Sequence, residues 1–272
     1  MNFHSDEWVM EQINRHYNNA LSLYAKDQII GVFCQGSTNY GLDGPDSDID
    51  TKCIIVPSFK DICLVNKPVS TTHILDNNEH LDAKDIRLYC QCFRKQNLNF
   101  LEILFTPYVI INPLYKEQWD RLAAAREEIA RMNPYRAVRS MKGIAAEKYH
   151  AMEHRYPAKA HIVDAYGYDG KQVSHLLRVN DYLERYIAGE AYESCLIPSP
   201  ELRPRIMEYK MLDRISLDEA REEAREVMEN VIRVSDNFCA DKCDQESEEM
   251  RELLEDVSYN IMKIAVEEEL KG

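Results

Sequence analysis

Residues 33–56 lead from the end of one apolar run, through a polar, glycine-bearing loop, into a second, and no other stretch of the 272 residues limits the fold as tightly. The first run (Ile29, Ile30, Val32, Phe33) leads into Gly36-Ser37, and the second (Ile54, Ile55, Val56) follows closely on Asp48-Ile49-Asp50. If 49–56 is a strand, alternation places Asp48 and Asp50 on the same side at its entrance. Two neighbouring carboxylates repel each other unless a cation lies between them, and hard oxygen ligands suit Mg²⁺ or Mn²⁺. Gly36 lets the backbone come close to a phosphate. The Ser37 hydroxyl and the first amides of a short helix at 37–41 can hydrogen-bond phosphate oxygens. Residues of these kinds in this order suit the transfer of a nucleotidyl group.

Period-two and period-3.6 patterns supply the surroundings of that stretch. Trp8, Val9, Ile13, Tyr17, Ala20, Leu21 and Tyr24 fall at helical spacing, predicting an amphipathic helix over 6–26. Strands are expected at 28–35, 49–56, 69–75 and 108–111, with a return strand at 79–84 after the turn Asp76-Asn77-Asn78. Short helices are expected at 58–64 and 85–96. Beyond Pro113 the pattern is helical: 114–131, 134–154, 169–189, 216–236 and 246–270, with a connector at 155–166 and a proline-rich loop at 195–204. Asp169 is placed to cap one helix and Gly189 to end it. The expected fold is α+β: a catalytic domain at 1–113, built on a mixed sheet flanked by helices, and a mainly helical domain at 114–272.

The net charge of −14 excludes a protein that coats nucleic acid at large but leaves room for a local basic groove. Much of the acid lies in the last third, on what read as solvated helix faces. No apolar run is long enough to span a membrane, and the eight cysteines show no disulfide pattern, which points to reduced thiols in the cytoplasm. Cys90-x-Cys92 and Cys239-x-x-x-Cys243 lack the matching His/Cys pair of a zinc site. The long C-terminal helices with apolar stripes permit a homo-oligomer.

Lys171, His175 and Arg178 are spaced i, i+4 and i+7, so one helix face presents three donors on an acidic chain. Such a face suits a triphosphate tail or a departing pyrophosphate. On spacing alone the favoured reading is a solvated basic stripe pairing with Asp169, Asp181 or Glu184, with His175 a satisfied buried histidine.

Gly36-Ser37 followed by Asp48-Ile49-Asp50 resembles the signature of the DNA polymerase beta superfamily of nucleotidyltransferases. The extended form, Gly36-Ser37-x-x-Tyr40-Gly41-Leu42 and then Asp46-Ser47-Asp48-Ile49-Asp50, is similar to bacterial and phage nucleotidyltransferases associated with RNA repair. Two later segments fit the same family: Lys95-x-Asn97 with Glu102-x-Leu104, and Tyr168-Asp169-x-Lys171-x-x-x-His175-x-x-Arg178. The resemblance implies a third carboxylate between apolar residues on a strand. That description points to Asp82, with Glu79 and Asp85 near enough to compete. Glu102 reads as a structural residue.

The activity implied is transfer of a nucleoside monophosphate from a nucleoside triphosphate (NTP), ATP among them, to a hydroxyl, with release of pyrophosphate. Asp48, Asp50 and Asp82 would hold Mg²⁺ or Mn²⁺, and Gly36 and Ser37 the β- and γ-phosphates. Lys171, His175 and Arg178 would meet the pyrophosphate, with the helical domain completing the nucleotide cleft. The acceptor stays open among an RNA end, a protein hydroxyl and a small molecule. A catalytically silent nucleotide-binding sensor or regulatory subunit is the alternative.

Overall fold

The structure, a computed structural model, describes residues 3–45, 47–211 and 214–271. Helix α1 (Asp6–Leu23) starts at Ser5, whose hydroxyl accepts from the Trp8 amide, with Asp6 and Glu7 at the positive end of the helix dipole. It stops three residues short of the expected end, because Lys26–Gln28 forms a separate 3-10 turn. Then follow β1 (Ile29–Gln35), a 3-10 turn at Ser37–Tyr40 where a short helix is expected, β2 (Asp50–Ile55) and α2 (Phe59–Cys63). The hairpin β3 (Ser70–Ile74) and β4 (His80–Asp85) leads into α3 (Ile86–Arg94), α4 (Leu98–Leu101) and β5 (Val109–Ile111).

The rest is helical: α5 (Lys116–Ala124), α6 (Arg126–Ala130), α7 (Pro134–Ala151), α8 (Ala160–Tyr166), α9 (Gly170–Ile187), α10 (Tyr192–Leu196), α11 (Arg203–Tyr209), α12 (Leu217–Ala240) and α13 (Glu248–Glu269). Two expectations are corrected here. The helix expected over 114–131 is broken at Ala125, which is not helical. The connector expected at 155–166 contains α8, closed by Gly167 at φ +84°, a left-handed position that glycine reaches without strain. Asp169 caps α9 by accepting from the Lys171 amide, and Gly189 lies beyond its end at φ +86°.

The fold is α+β. Two compact units emerge: Met1–Met132 with Glu246–Gly272, and Asn133–Gln245. The sequence reading divides the chain after Pro113; in the first unit α13 packs on α3 and α5. No helix among the described residues is long and apolar enough to cross a membrane.

The sheet has five strands in the order β3-β4-β2-β1-β5. It is mixed: β2 and β4 run parallel, and every other neighbouring pair is antiparallel. Val9, Ile13 and Ala20 of α1 bury one face, against Val32, Cys34, Cys53, Ile55, Leu81 and Ala83. By alternation the other face carries Phe33, Lys52 and Asp82, and Phe33 packs on Trp119 of α5 with ring centroids 4.5 Å apart. Gly31 sits where β1 is pressed between its neighbours. An added Cβ would lie 2.8 Å from Ile111 Cδ1 and 2.9 Å from the Ile110 carbonyl oxygen. That carbonyl belongs to paired β5 backbone and cannot swing aside, so Gly31→Ala is expected to cost about 1–3 kcal/mol, read as a lowered urea midpoint.

Candidate active site

The parallel pairing of β2 with β4 sets Lys52 opposite Asp82, and the antiparallel pairing with β1 sets Gln35 opposite Asp50. Alternation then brings Gln35, Asp50, Lys52, Asp82 and Thr72 onto the face away from α1. Asp50 opens β2, and its Oδ1 accepts from the His80 amide at 2.8 Å. Asp82 Oδ1 accepts from the Thr72 hydroxyl at 2.5 Å, and its Oδ2 takes only a long contact from Gln35 Nε2 at 3.4 Å. The strand begins later than expected, so Asp48 lies on the exposed entrance loop. Ile49, between the two acids, is buried in the α1-side core. No described residue forms an ion pair with Asp48 or Asp82.

Lys52 is a site residue the sequence reading passed over. It is buried, with Nζ 2.8 Å from Glu102 Oε1, and Glu102 is buried as well. Burial pulls the Lys52 ammonium down to about 7, against Asp82 and Asp50, which favour its charge. The Phe100 ring lies near Lys52 Nζ and Lys84 Nζ, at 5.6 Å and 5.2 Å from its centroid. The signal was present: Lys52 stands two residues after Asp50 in a strand and must share its face.

The two rivals of Asp82 are engaged elsewhere. Glu79 is buried and accepts from the Ile49 amide at 3.2 Å, from His16 Nε2 at 2.8 Å and from Arg15. Burial alone would raise its carboxyl, but the hydrogen bonds from Asn77, His16 and Ile49 outweigh that and hold it below the ordinary value. His16 is itself buried, which lowers its pKa despite Glu79 and keeps the ring neutral. Because the Glu79 carboxylate can only accept, Nε2 carries the proton and Nδ1 accepts from the Thr51 hydroxyl at 2.8 Å. Asp85 caps α3 through the Arg87 amide and pairs with the Arg87 guanidinium at 2.6 Å.

Gly36 has φ +88° and ψ −152°, a conformation open in practice only to glycine, and no atom lies within 4 Å of where a Cβ would stand. Backbone geometry and not crowding calls for glycine there, and the space beside it is free for a ligand. The Ser37 hydroxyl hydrogen-bonds to no described residue.

Lys171, His175 and Arg178 belong to the second unit. All three lie on α9, with Lys171 exposed in the first turn and His175 and Arg178 half-buried. Lys142 on α7 pairs with Asp236 at 2.5 Å.

Among the described residues no three His, Cys, Asp or Glu side chains gather closely enough to enclose a metal ion. Asp50 and Asp82 nevertheless offer, on one sheet face, the hard carboxylate oxygens that Mg²⁺ or Mn²⁺ takes.

A family model described as the RNA repair pathway DNA polymerase beta family matches residues 8–180, more than half of the chain. Among solved structures, a nucleotidyltransferase-like protein from Exiguobacterium sibiricum 255-15 is similar at 11% identity, over 84% of this chain and 75% of that one, with a TM-score of 0.31. No curated protein matches the chain.

Proposed function

The chain belongs to the RNA repair pathway DNA polymerase beta family, and on that premise we propose that it moves a nucleoside monophosphate from an NTP to a hydroxyl acceptor. The observation that carries this reading is the placement of Asp50 and Asp82 on one sheet face, with neither acid spent on the core. Asp48, Asp50 and Asp82 would hold Mg²⁺ or Mn²⁺, which when bound neutralises charge on the attacking and leaving oxygens. Gly36 and Ser37 would seat the β- and γ-phosphates beside the open space at the Gly36 α-carbon. Asp82 Oδ2, lightly engaged by Gln35, would accept the proton of the attacking hydroxyl. A bond forms from that oxygen to the α-phosphorus, the bond to the β-phosphate bridge breaks, and pyrophosphate leaves with the electron pair. Such a site acts by positioning and electrostatics, with no covalent enzyme intermediate.

The test is incubation with each α-labelled NTP, ATP first, and Mg²⁺ or Mn²⁺, with total RNA and then without it. Asp48→Ala/Asp50→Ala protein serves as the control. Label on RNA or on the protein itself, lost in the double variant, supports the reading and names the acceptor class. Label on neither, with metal-dependent NTP binding that the double variant loses, supports the alternative of a silent nucleotide sensor. Absence of NTP binding overturns both.

A further inference from the structure

The sheet ends on one side in β3, a strand that solvent reaches along nearly its whole length. Ser70, Thr71, Thr72 and Ile74 are exposed, Ile74 with 70% of its surface, and His73 is half-buried. The opposite edge is β5, which spans only Val109–Ile111 and is half-buried throughout. The Asp85 amide donates to the Val69 carbonyl oxygen at 3.0 Å, and the Leu75 amide to that of Glu79 at 2.9 Å. Antiparallel ladders alternate, so the odd-numbered residues of β3 spend their backbone groups on β4. The N–H and C=O groups of Ser70, Thr72 and Ile74 therefore point outward from the sheet.

An open edge of this kind is a template for another strand, and proteins usually blunt it with a charge, a proline or a bulge. β3 has none of these: its residues are Ser-Thr-Thr-His-Ile, and its pairing with β4 runs without a register shift. Thr71, Thr72 and Ile74 are β-branched and hold the strand extended. Formal charge stands only at the two ends, with opposite sign. Lys67 comes before the strand and Asp76 after it; both are exposed, and neither forms an ion pair with a described residue.

We propose that β3 pairs with β3 of a second copy of this chain, antiparallel about a two-fold axis at Thr72. In that register Thr72 faces its own counterpart and Ser70 faces the partner's Ile74, so every outward N–H of one copy meets an outward C=O of the other. The same axis brings Lys67 to the end of the strand where the partner's Asp76 lies, and does so twice, with no like charges opposed along the strand. The product is one continuous ten-stranded sheet, five strands from each copy, whose two faces bearing Asp50 and Asp82 look the same way. The two Asp82 residues would stand three strand spacings apart, about 14 Å. A five-residue edge buries less than the roughly 1,600 Å² of a standard interface, so the expected dimer is weak, with a dissociation constant on the order of micromolar.

The experiment is sedimentation velocity on the full chain over a roughly hundredfold range of concentration, without NTP or metal, so that the outcome is independent of the transfer reading. The wild type is expected to pass from monomer to dimer. Ile74→Pro removes an outward N–H from each copy and leaves the β4 ladder intact, and Ile74→Lys puts a charge on the edge. Each should weaken the dimer by about tenfold or more, with an unchanged thermal midpoint showing that the monomer folds. Lys67→Glu and Asp76→Lys each turn a charge pair made twice into a repulsion and should weaken the dimer roughly fivefold. Combined, they should restore it, a response that only the antiparallel register gives. A wild type that stays monomeric at every concentration overturns the proposal and leaves the edge to a strand of another protein. A dimer that neither Ile74 variant weakens also overturns it and puts the contact elsewhere on the chain.

Discussion

Asp82→Asn is expected to lower label transfer about a thousandfold or more while moving Tm by no more than a few degrees. Glu79→Gln is expected to do the reverse. The two carboxylates lie three residues apart around the start of β4 and are hard to rank in the sequence, yet their surroundings differ sharply. Asn at position 82 keeps the shape and can still accept from Thr72, whose hydroxyl now lies 2.5 Å from Oδ1. What it loses is the negative charge and the basic oxygen. If Asp82 binds a metal ion and receives the acceptor proton, losing about 4 kcal/mol of transition-state stabilisation gives that thousandfold effect. Glu79 instead ties the Ile49 amide, His16 and Arg15 together behind the sheet. Removing its charge weakens charge-assisted bonds in a buried network and should cost about 2–3 kcal/mol, or roughly 5–10 °C in Tm for a chain of this size. The paired measurement is initial transfer rate and thermal midpoint on both variants. Full activity in Asp82→Asn would overturn its assignment, and a rate collapse with an unchanged midpoint in Glu79→Gln would move the role there.

The contrast shows what the sequence could and could not reveal. Period-two alternation fixes, strand by strand, that Asp50 shares a face with Lys52, and Asp82 with His80 and Lys84. It does not fix which strands are neighbours. That β4 lies parallel to β2, with Lys52 against Asp82, depends on the crossover through α2 and β3 and on the register it imposes. For the same reason the partner of Glu79 was hidden: His16 is on a helix 63 residues earlier. Helix ends were legible where capping residues mark them, as at Asp169 and Gly189. The break at Ala125 was not, because alanine carries no stop signal.

Glu102→Ala is expected to destabilise the protein by about 3–5 kcal/mol, the usual result of leaving one member of a buried ion pair alone. The pair is Lys52 Nζ to Glu102 Oε1 at 2.8 Å, with both side chains at most 6% exposed. Asp50 and Asp82 lie close enough to favour the lysine charge, but Asp50 is already bonded to the His80 amide and Asp82 to Thr72. Replacing both members with apolar residues of similar size, Lys52→Met with Glu102→Leu, removes the buried charges together and should return most of the lost stability. Transfer activity should not return with it. Lys52 places a positive charge on the face that carries Asp50 and Asp82, and without it the two acids face each other with less opposing charge. A double variant that regains both its urea midpoint and its transfer rate would show that Lys52 serves the core alone. One that regains only the midpoint would mark Lys52 as part of the site's electrostatics, held in place by Glu102.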